Sequence, residues 1–555
     1  MAKGGAPPAR KQEGLLWPVV PKSKKYNDRS TTYSNKAALG AAIGAVDPAT
    51  KAEVDAEWKW RQRYGKYLIQ LVRLSLSSSD AAVATSKAGL DWCYSNFEFK
   101  RDDKVYKLKD AMSSIKDSFL TGTVKGTKPR PSSPPELKCP YSGKVLEGEA
   151  LKAQVNKWVT AGTIEPSAGA AIVDVATKAE WRDLSDKYFV LLGAGSAMGP
   201  LLFLMELGAN VVAVDLDRPG IWKRLLGIAK DSCGTMTFPL SVEQSSVDEA
   251  DLVNFAGCNL LTQTPEIANW VEKIHPGKPL VVGAYAYLDG ELHVRVSLAM
   301  DAIIERLTSQ RKNVTPAYLC TPTDVHVIPP EAREAMEANK NALSLFNVFF
   351  IALSPLGWFF CKPNAKSSLI VPSGKDGAYT SYLVDGIVNR QGPNYALAKR
   401  MQHWRAIISR EEKGCQVSSN IAPSTSTASV TSNKLFAMAY GGMHWFKPME
   451  VFGQETSNFV MGALLLRDIA DPTTPSNPKV KLRNPYELFS YGSFHGGIWR
   501  MGYTVDSIGE ASILIYALTH LFKYLVLAAP IVAIAAAFAG FDFFGLLSLV
   551  NGGEL

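Results

Sequence analysis

Cysteine is scarce in this 555-residue chain, and the few cysteines are scattered along the sequence. The seven cysteines are Cys93, Cys139, Cys233, Cys258, Cys320, Cys361 and Cys415. Their number is odd and no two form a CxxC pair, which argues against a disulfide framework or a zinc knuckle and fits a reducing compartment. His444 and His495 have no cysteine or carboxylate at ligand spacing, so we expect no metal site.

A signal peptide is also missing, because residues 1–22 contain no apolar run of the required length. We therefore do not expect secretion. Charged residues make up only 20% of the chain and apolar residues 46%, which indicates a globular protein of two or three units. Lys and Arg exceed Asp and Glu by only 60 to 52, with part of the excess in residues 1–45. We interpret 1–45 as a flexible basic arm that is solvated or contacts anionic lipid, and we predict no nucleic-acid partner.

The longest hydrophobic run is near the C-terminal end of the sequence. One histidine, one lysine and one aspartate interrupt residues 512–550, and residues 524–540 carry no charge. That uncharged length approaches the roughly 20 residues that cross a bilayer as a helix. Residues 511–555 are therefore predicted to be a tail attached to an intracellular membrane. The alternative is a hydrophobic arm buried in a homo-oligomer.

Strands alternate with helices from residue 187 onward. "KYFVLLGAG" predicts a buried strand that ends in glycine, and "NVVAVDLD" predicts a second strand after a short helix. This order favours an α/β fold with a parallel sheet and helices on its faces. Residues 46–180 are predicted to be mainly helical with a proline-rich loop. The aromatic and glycine-rich residues 436–510 are predicted to form a lid over an apolar substrate.

The turn between the two strands predicts a nucleotide-type cofactor. Glycines at turns of this kind let backbone N–H groups approach a pyrophosphate, and an acid after the second strand binds the adenosine ribose. The candidate cofactor-binding residues are Gly193, Gly195, Ser196, Ala197, Met198, Gly199 and Asp215. Asp215 would repel a 2′-phosphate, so we expect NAD(H) in preference to NADP(H). The turn also suits S-adenosylmethionine, and a methyltransferase is therefore an alternative.

"NYALAKR" places Tyr395 and Lys399 one helical turn apart, so that both side chains share a face. A lysine ammonium near a phenol lowers the pKa of the phenol and can hold a nicotinamide ribose. The phenol can then exchange a proton with a carbonyl oxygen. Upstream, "SSLIVPSGK" predicts a buried strand that ends in Ser373. Downstream, "GCQVSSNIAPSTSTASV" predicts another strand and a proline-marked loop.

This order of motifs resembles the short-chain dehydrogenase/reductase family. The resemblance covers about residues 187–435, with apparent insertions at about 290–335 and before the tyrosine. It implies a Rossmann-type, doubly wound parallel sheet in which the apolar run 344–361 is a packed central helix. It also implies that Tyr395 is the proton donor or acceptor and that Lys399 lowers the tyrosine pKa and binds the cofactor.

The resemblance further implies an active-site serine and an asparagine. Ser373 would orient the substrate oxygen, although Ser381 lies nearer the tyrosine in sequence and is the alternative. Asn341 is the preferred asparagine, ahead of Asn339 and Asn347. The expected function is a membrane-attached, NAD(P)(H)-dependent oxidoreductase acting on a hydroxyl or carbonyl of a lipophilic molecule. A Rossmann scaffold without catalytic activity, in a membrane complex, is the other main alternative.

Overall fold

The computed structural model describes residues 14–21, 28–342 and 361–520. The strands are β1 (Gly14–Leu16), β2 (Glu98–Arg101), β3 (Lys104–Lys107), β4 (Leu120–Lys125), β5 (Cys139–Tyr141), β6 (Lys144–Leu146), β7 (Tyr188–Leu192), β8 (Asn210–Val214), β9 (Thr235–Leu240), β10 (Leu280–Ala284), β11 (Val314–Cys320), β12 (Val325–Ile328), β13 (Ile370–Ser373), β14 (Tyr379–Asp385), β15 (Ser418–Ile421), β16 (Thr425–Ser426) and β17 (Phe452–Gly453). The helices are α1 (Thr31–Gly44), α2 (Pro48–Ala56), α3 (Trp60–Ser75), α4 (Ser79–Asn96), α5 (Leu108–Ser114), α6 (Gly148–Ala161), α7 (Pro166–Thr177), α8 (Leu201–Glu206), α9 (Pro219–Lys230), α10 (Thr264–Lys273), α11 (Glu291–Gln310), α12 (Pro330–Ala342), α13 (Gly392–Glu411), α14 (Ala428–Thr431), α15 (Lys434–Met443) and α16 (Gln454–Ala470). Residues 505–520 are also helical.

The central sheet has seven strands in the order β15-β11-β10-β7-β8-β9-β4. The first six are parallel, and β4 pairs antiparallel with β9 at one edge. The chain moves outward from β7 through β8 to β9, and then returns to the other side of β7 to form β10. The direction of strand addition therefore reverses between β7 and β10. The α/β fold with a parallel sheet, predicted from the sequence, is confirmed.

Both faces of this sheet are covered, which explains why its strands are continuous apolar runs. Along β7, Val190 and Leu192 belong to one apolar core, and Phe189 and Leu191 belong to the other. Helices α11 and α13 contribute to the first core, and α8, α9 and α16 contribute to the second. Successive side chains of a strand point to opposite faces, so each strand serves both cores.

The N-terminal helices pack onto the same face as α13. Gly89 of α4 lies against Trp404 of α13 so closely that an added Cβ would be 2.5 Å from the indole ring. Helix α1 is also part of this core, with Leu39 and Ile43 buried. The prediction of a flexible arm through residue 45 is therefore wrong for residues 31–44. A chain of small residues such as "KAALGAAIG" lacks the polar face by which an exposed helix is recognised, which is why its helical structure was missed.

A smaller antiparallel sheet, ordered β12-β14-β13, is inserted between β11 and α13. The strand that ends in Ser373 is β13 of this smaller sheet, so the expectation that it belongs to the central sheet is wrong. The predicted insertion at about 290–335 is also wrong in part. Residues 291–320 form α11 and β11, which are a helix and a strand of the central layer.

In the described ranges, the helices fall short of the length and apolar character that crossing a bilayer requires. The uncharged run at 524–540, predicted as a membrane tail, lies outside the described residues. The packed helix predicted at 344–361 lies outside them as well, except for Cys361.

Candidate functional site

A cavity of about 510 Å³ lies at the carboxyl edge of the central sheet. Its walls come from the segments that follow β10, β11 and β15, from the start of α13, from α15 and from residues 505–513. The residues that line it are Tyr287, Asp289, Gly290, His293, Thr323, Val388, Arg390, Gln391, Tyr395, Ser424, Val430, Asn433, Leu435, Phe436, Ala439, Tyr440, Met443, Val505, Asp506, Gly509 and Ile513. Its size, and a lining of apolar and aromatic side chains with a few polar groups among them, are those of a small-molecule site.

Tyr395 reaches this cavity from the first turn of α13. Gly392 has a φ of +83°, and Pro393 occupies the start of the helix, which fixes the entry of the chain. The phenol lies near the side chain of Thr321, which directly follows β11. Burial raises the pKa of the Tyr395 phenol above its ordinary value, and the nearby polar side chain of Thr321 opposes that rise. Unliganded, the phenol is therefore a proton donor across the neutral range.

Lys399 lies one turn further along α13 and is directed toward the sheet backbone. Its Nζ donates to the Leu319 carbonyl at 3.1 Å and to the Gln402 side chain at 3.4 Å. The same Nζ is 5.9 Å from the centre of the Tyr395 ring. Burial lowers the pKa of Lys399. The tyrosine and lysine are thus neighbours, but the pKa of this phenol is not set by a direct lysine contact.

The structure does not bring the predicted serine and asparagine to Tyr395. Ser373 is fully buried, its hydroxyl donates to the Val371 carbonyl, and it pairs with Tyr379 at the start of β14. The cavity residue Val388 follows the other end of β14, and seven strand residues span about 20 Å. Ser381 is in the middle of the same strand.

Asn341 is exposed on α12 and does not line the cavity. On the same helix, the Asn339 side chain donates to the carbonyl of Arg500 at 2.7 Å. Asn347 lies outside the described residues.

His293 supplies the second polar side chain deep in the cavity. It is 2% exposed, and neither of its ring nitrogens has a hydrogen-bond partner among the described residues. Its ring stacks on Tyr395 with centroids 5.5 Å apart and lies 4.6 Å from Tyr287. Burial, with a smaller effect of Lys399, lowers the pKa of His293 to about 3. The imidazole is therefore neutral, with one donor and one acceptor available to a ligand.

The glycine turn lies beside this cavity, on the far side of the segment after β10. An added Cβ on Gly193 would be 2.6 Å from Ala286, and Tyr287 lines the cavity. The φ of Gly193 is +91°, so both its backbone conformation and this close approach require glycine. The turn and the cavity therefore flank the same short segment at the point where the strand order reverses, between β7 and β10.

Asp215 binds the turn directly. Its carboxylate accepts from the Gly195 N–H at 2.6 Å and from the Leu216 N–H at 2.8 Å. A carboxylate has about four acceptor positions, so two remain for the hydroxyls of a ribose. The Arg224 guanidinium donates to the Gly195 carbonyl at 3.0 Å and closes the outer side of the turn.

The remaining turn residues provide a test of whether a dinucleotide fits. Ser196 N–H and Gly199 N–H bond within the turn, to the carbonyls of Gly193 and Ser196. Ala197 is exposed and Met198 is partly exposed, and in the part of the chain described here no acceptor is bonded to either N–H. These two donors, the Ser196 hydroxyl and Asp215 form a donor and acceptor set that fits a nucleotide. Helix α8 is short and starts only at Leu201, so the anion would be held by the turn itself.

Thr321 and His293 were missed from the sequence. Thr321 follows "AYLC", a buried strand that runs into hydroxyl residues, which is the same signal that pointed to Ser373. The two candidates could not be separated without knowing which strand belongs to the central sheet. His293 stands in the apolar face of a helix, where a histidine carries no recognisable pattern.

Comparisons with protein-family models, with curated proteins and with solved structures return no match.

Proposed function

We propose that the chain is a Rossmann-type oxidoreductase that uses NAD(H) to interconvert a hydroxyl and a carbonyl on a lipophilic molecule at an intracellular membrane. The observation that carries the proposal is the position of the Tyr395 phenol in the cavity at the carboxyl edge of the sheet, where its ring stacks on His293, whose imidazole is unpaired among the described residues. The strand order β9-β8-β7-β10-β11-β15 supports it, because 3-2-1-4-5-6 is the order of dinucleotide-binding sheets, which bind their ligand where the order reverses.

The resemblance to short-chain dehydrogenases/reductases is retained with one exchange of residues. In this proposal Thr321, at the end of the fifth parallel strand, takes the role first assigned to Ser373. Tyr395 and Lys399 lie on the helix that leads to the sixth strand, β15. Asn433 is the asparagine in the cavity lining, but its side-chain oxygen caps α15 by accepting from the N–H groups of Leu435 and Phe436.

A bound nicotinamide would supply or accept the hydride. Ala197 and Met198 N–H groups would hold the pyrophosphate, and Asp215 would bind the adenosine ribose and disfavour a 2′-phosphate. In the direction of reduction, Tyr395 gives its phenolic proton to the substrate oxygen, and the C=O bond becomes C–H and O–H. The phenolate then regains a proton from solvent, and Thr321 hydrogen-bonds the reacting oxygen throughout. His293 binds a second oxygen of the substrate.

The test combines cofactor binding with a single-atom substitution. We expect NAD(H) to raise the melting temperature of the detergent-purified protein more than NADP(H) or S-adenosylmethionine does. Tyr395→Phe should keep that shift and lose about 10²–10⁴-fold in turnover, the usual contribution of a general acid. Tyr379→Phe is the matched control, because the Tyr379 hydroxyl is buried without a hydrogen-bond partner among the described residues and Tyr379 does not line the cavity. Turnover unchanged in Tyr395→Phe would contradict the proposal.

A second candidate is a Rossmann scaffold that binds a ligand without transforming it. The observation that favours it is the bonding of Lys399 to the Leu319 carbonyl, which leaves the pKa of Tyr395 raised. This candidate predicts that no nicotinamide cofactor shifts the melting temperature. A shift by S-adenosylmethionine alone would favour a methyltransferase over both.

A further inference from the structure

The cavity opens beside an apolar surface that the fold leaves uncovered. Leu435 and Phe436 on α15 are 59% and 39% exposed, Trp445 just after α15 is 46% exposed, and Leu518 is 44% exposed. We call these four side chains the apolar surface. Large exposed hydrophobic side chains that occur together, and not singly, mark interaction sites.

The four side chains lie on two segments in direct contact. Helix α15 meets helical residues 505–520 at two glycines. A Cβ added to Gly441 would be 2.4 Å from the Tyr516 ring, and one added to Gly442 would be 1.9 Å from the Ser512 carbonyl oxygen. This close approach fixes α15 and residues 505–520 as one unit.

The same unit forms the outer wall of the cavity. Leu435 and Phe436 contribute both to the cavity lining and to the exposed surface, and Val505, Gly509 and Ile513 line the cavity from the second segment. A molecule that leaves the cavity at this wall therefore meets the apolar surface first.

The charge along α15 and the residues just after it is of one sign. Lys434 and Lys447 are exposed at the two ends of this segment, and the sequence has no acidic residue between them. Residues 505–520, in contrast, carry Asp506 and Glu510, and Glu510 pairs with Arg390. An apolar helix with lysines at its ends and an aromatic residue at its edge suits the boundary between acyl chains and anionic headgroups.

The course of the chain indicates what covers the surface. Residues 505–520 lead directly into the apolar sequence 521–550, in which Lys523 and Asp542 are the charged residues. The apolar surface is thus adjacent in sequence to the part of the chain predicted to enter a membrane.

We propose that the apolar surface lies against an anionic lipid bilayer, so that the cavity exchanges its ligand with the membrane and not with water. The contact with lipid stands independently of cofactor chemistry, whereas the nature of the ligand rests on the proposed function. The ligand class is a hydroxyl- or carbonyl-bearing molecule dissolved in the bilayer.

The test measures lipid contact at Trp445 in the full chain. The protein is reconstituted into phosphatidylcholine/phosphatidylserine vesicles with or without brominated acyl chains, which quench tryptophan on contact. We expect the quenchable emission to fall in Trp445→Phe and to be unchanged in Trp58→Phe. Trp58 is the control because it is 68% exposed on the N-terminal region.

Three outcomes would overturn the proposal. If brominated lipid quenches Trp445→Phe as strongly as the unmodified chain, Trp445 does not touch acyl chains. If acrylamide in the aqueous phase still quenches Trp445 in the vesicles, the surface faces water. Protection from both quenchers would indicate a second copy of the chain at this surface, which also contradicts lipid contact. The readout needs no NAD(H) and no turnover, so a failed oxidoreductase test leaves it unaffected.

Discussion

The carboxyl-edge cavity and a second cavity, formed between helices α4, α5, α11 and α13, differ in how they accommodate polar groups. The larger, about 630 Å³, lies near the end of α11 and is lined by charged side chains that pair with one another. Arg405 binds Asp301 at 2.7 Å, Lys413 binds Glu305 at 2.7 Å, and Arg306 binds Glu272 at 2.6 Å. The smaller cavity, at the carboxyl edge, holds His293 with both nitrogens unpaired among the described residues.

This difference distinguishes polar groups that stabilise the fold from polar groups that are available to a ligand. Buried charges that pair internally need nothing further, and removing one partner leaves the other uncompensated. A buried imidazole without a partner has lost its hydrogen bonds to water and has gained none from the protein. A ligand can supply the missing bonds. The larger cavity is therefore the weaker candidate for a binding site in spite of its volume, because its buried charges are already paired.

The largest effect is expected at the charged cavity. Arg405→Met removes the partner of Asp301, which is 4% exposed. We expect the free energy of unfolding to fall by about 3–5 kcal/mol, because a buried carboxylate is left unpaired. Chemical denaturation measures this. Lys66→Met is the control, since its pair with Glu53 is exposed on both sides and should change stability by less than about 1 kcal/mol. Equal losses of unfolding free energy in the two variants would show that the buried and the exposed ion pair do not differ in their effect on stability.

An intermediate effect is expected from pH at the buried cluster of Glu165, His495 and Arg500. Burial, which favours the neutral acid, is outweighed by hydrogen bonds from Arg500 and His495, which lower the pKa of Glu165 to about 2 from 4.5. The unfolded chain therefore binds more protons between pH 4.5 and 2, and stability falls by about 3 kcal/mol as the pH is lowered through that range. Glu165→Gln should lose this part of the pH dependence in denaturation measured at several pH values. An unchanged slope would show that Glu165 is not the group responsible.

The smallest effect on stability is expected at the carboxyl-edge cavity. His293→Phe keeps the ring stacking with Tyr395 and removes two unpaired nitrogens, so the free energy of unfolding should change by about 1 kcal/mol or less. Ligand affinity should fall by roughly 3–10-fold, the equivalent of one hydrogen bond. His495→Phe is the contrast, because that imidazole bonds Glu165 at 2.9 Å and its loss should destabilise the fold. A larger loss of unfolding free energy for His293→Phe than for His495→Phe would contradict the view that His293 is the histidine left unpaired by the fold.

The sequence predicted the elements of the site better than their assembly. The strand before the glycine turn, the strand that ends before Asp215 and the helix that carries Tyr395 were all expected. The strand that ends in Ser373 was also expected, but apolar periodicity does not say which sheet a strand joins. Thr321 follows the buried strand β11, whereas Ser373 ends β13, whose alternate residues are exposed. Only the pairing of β11 with β10 puts Thr321 near the phenol.

By itself the sequence determined the parallel α/β core. Runs such as "YFVLL" are apolar on both faces, which is the pattern of a strand that is covered on both sides. It also determined that Tyr395 and Lys399 share a helix face, because that depends on spacing alone. The tertiary structure decided which hydroxyl meets the phenol, where the lysine points and which histidine is left unpaired. Those are long-range contacts, and they depend on how strands and helices distant in sequence are brought together.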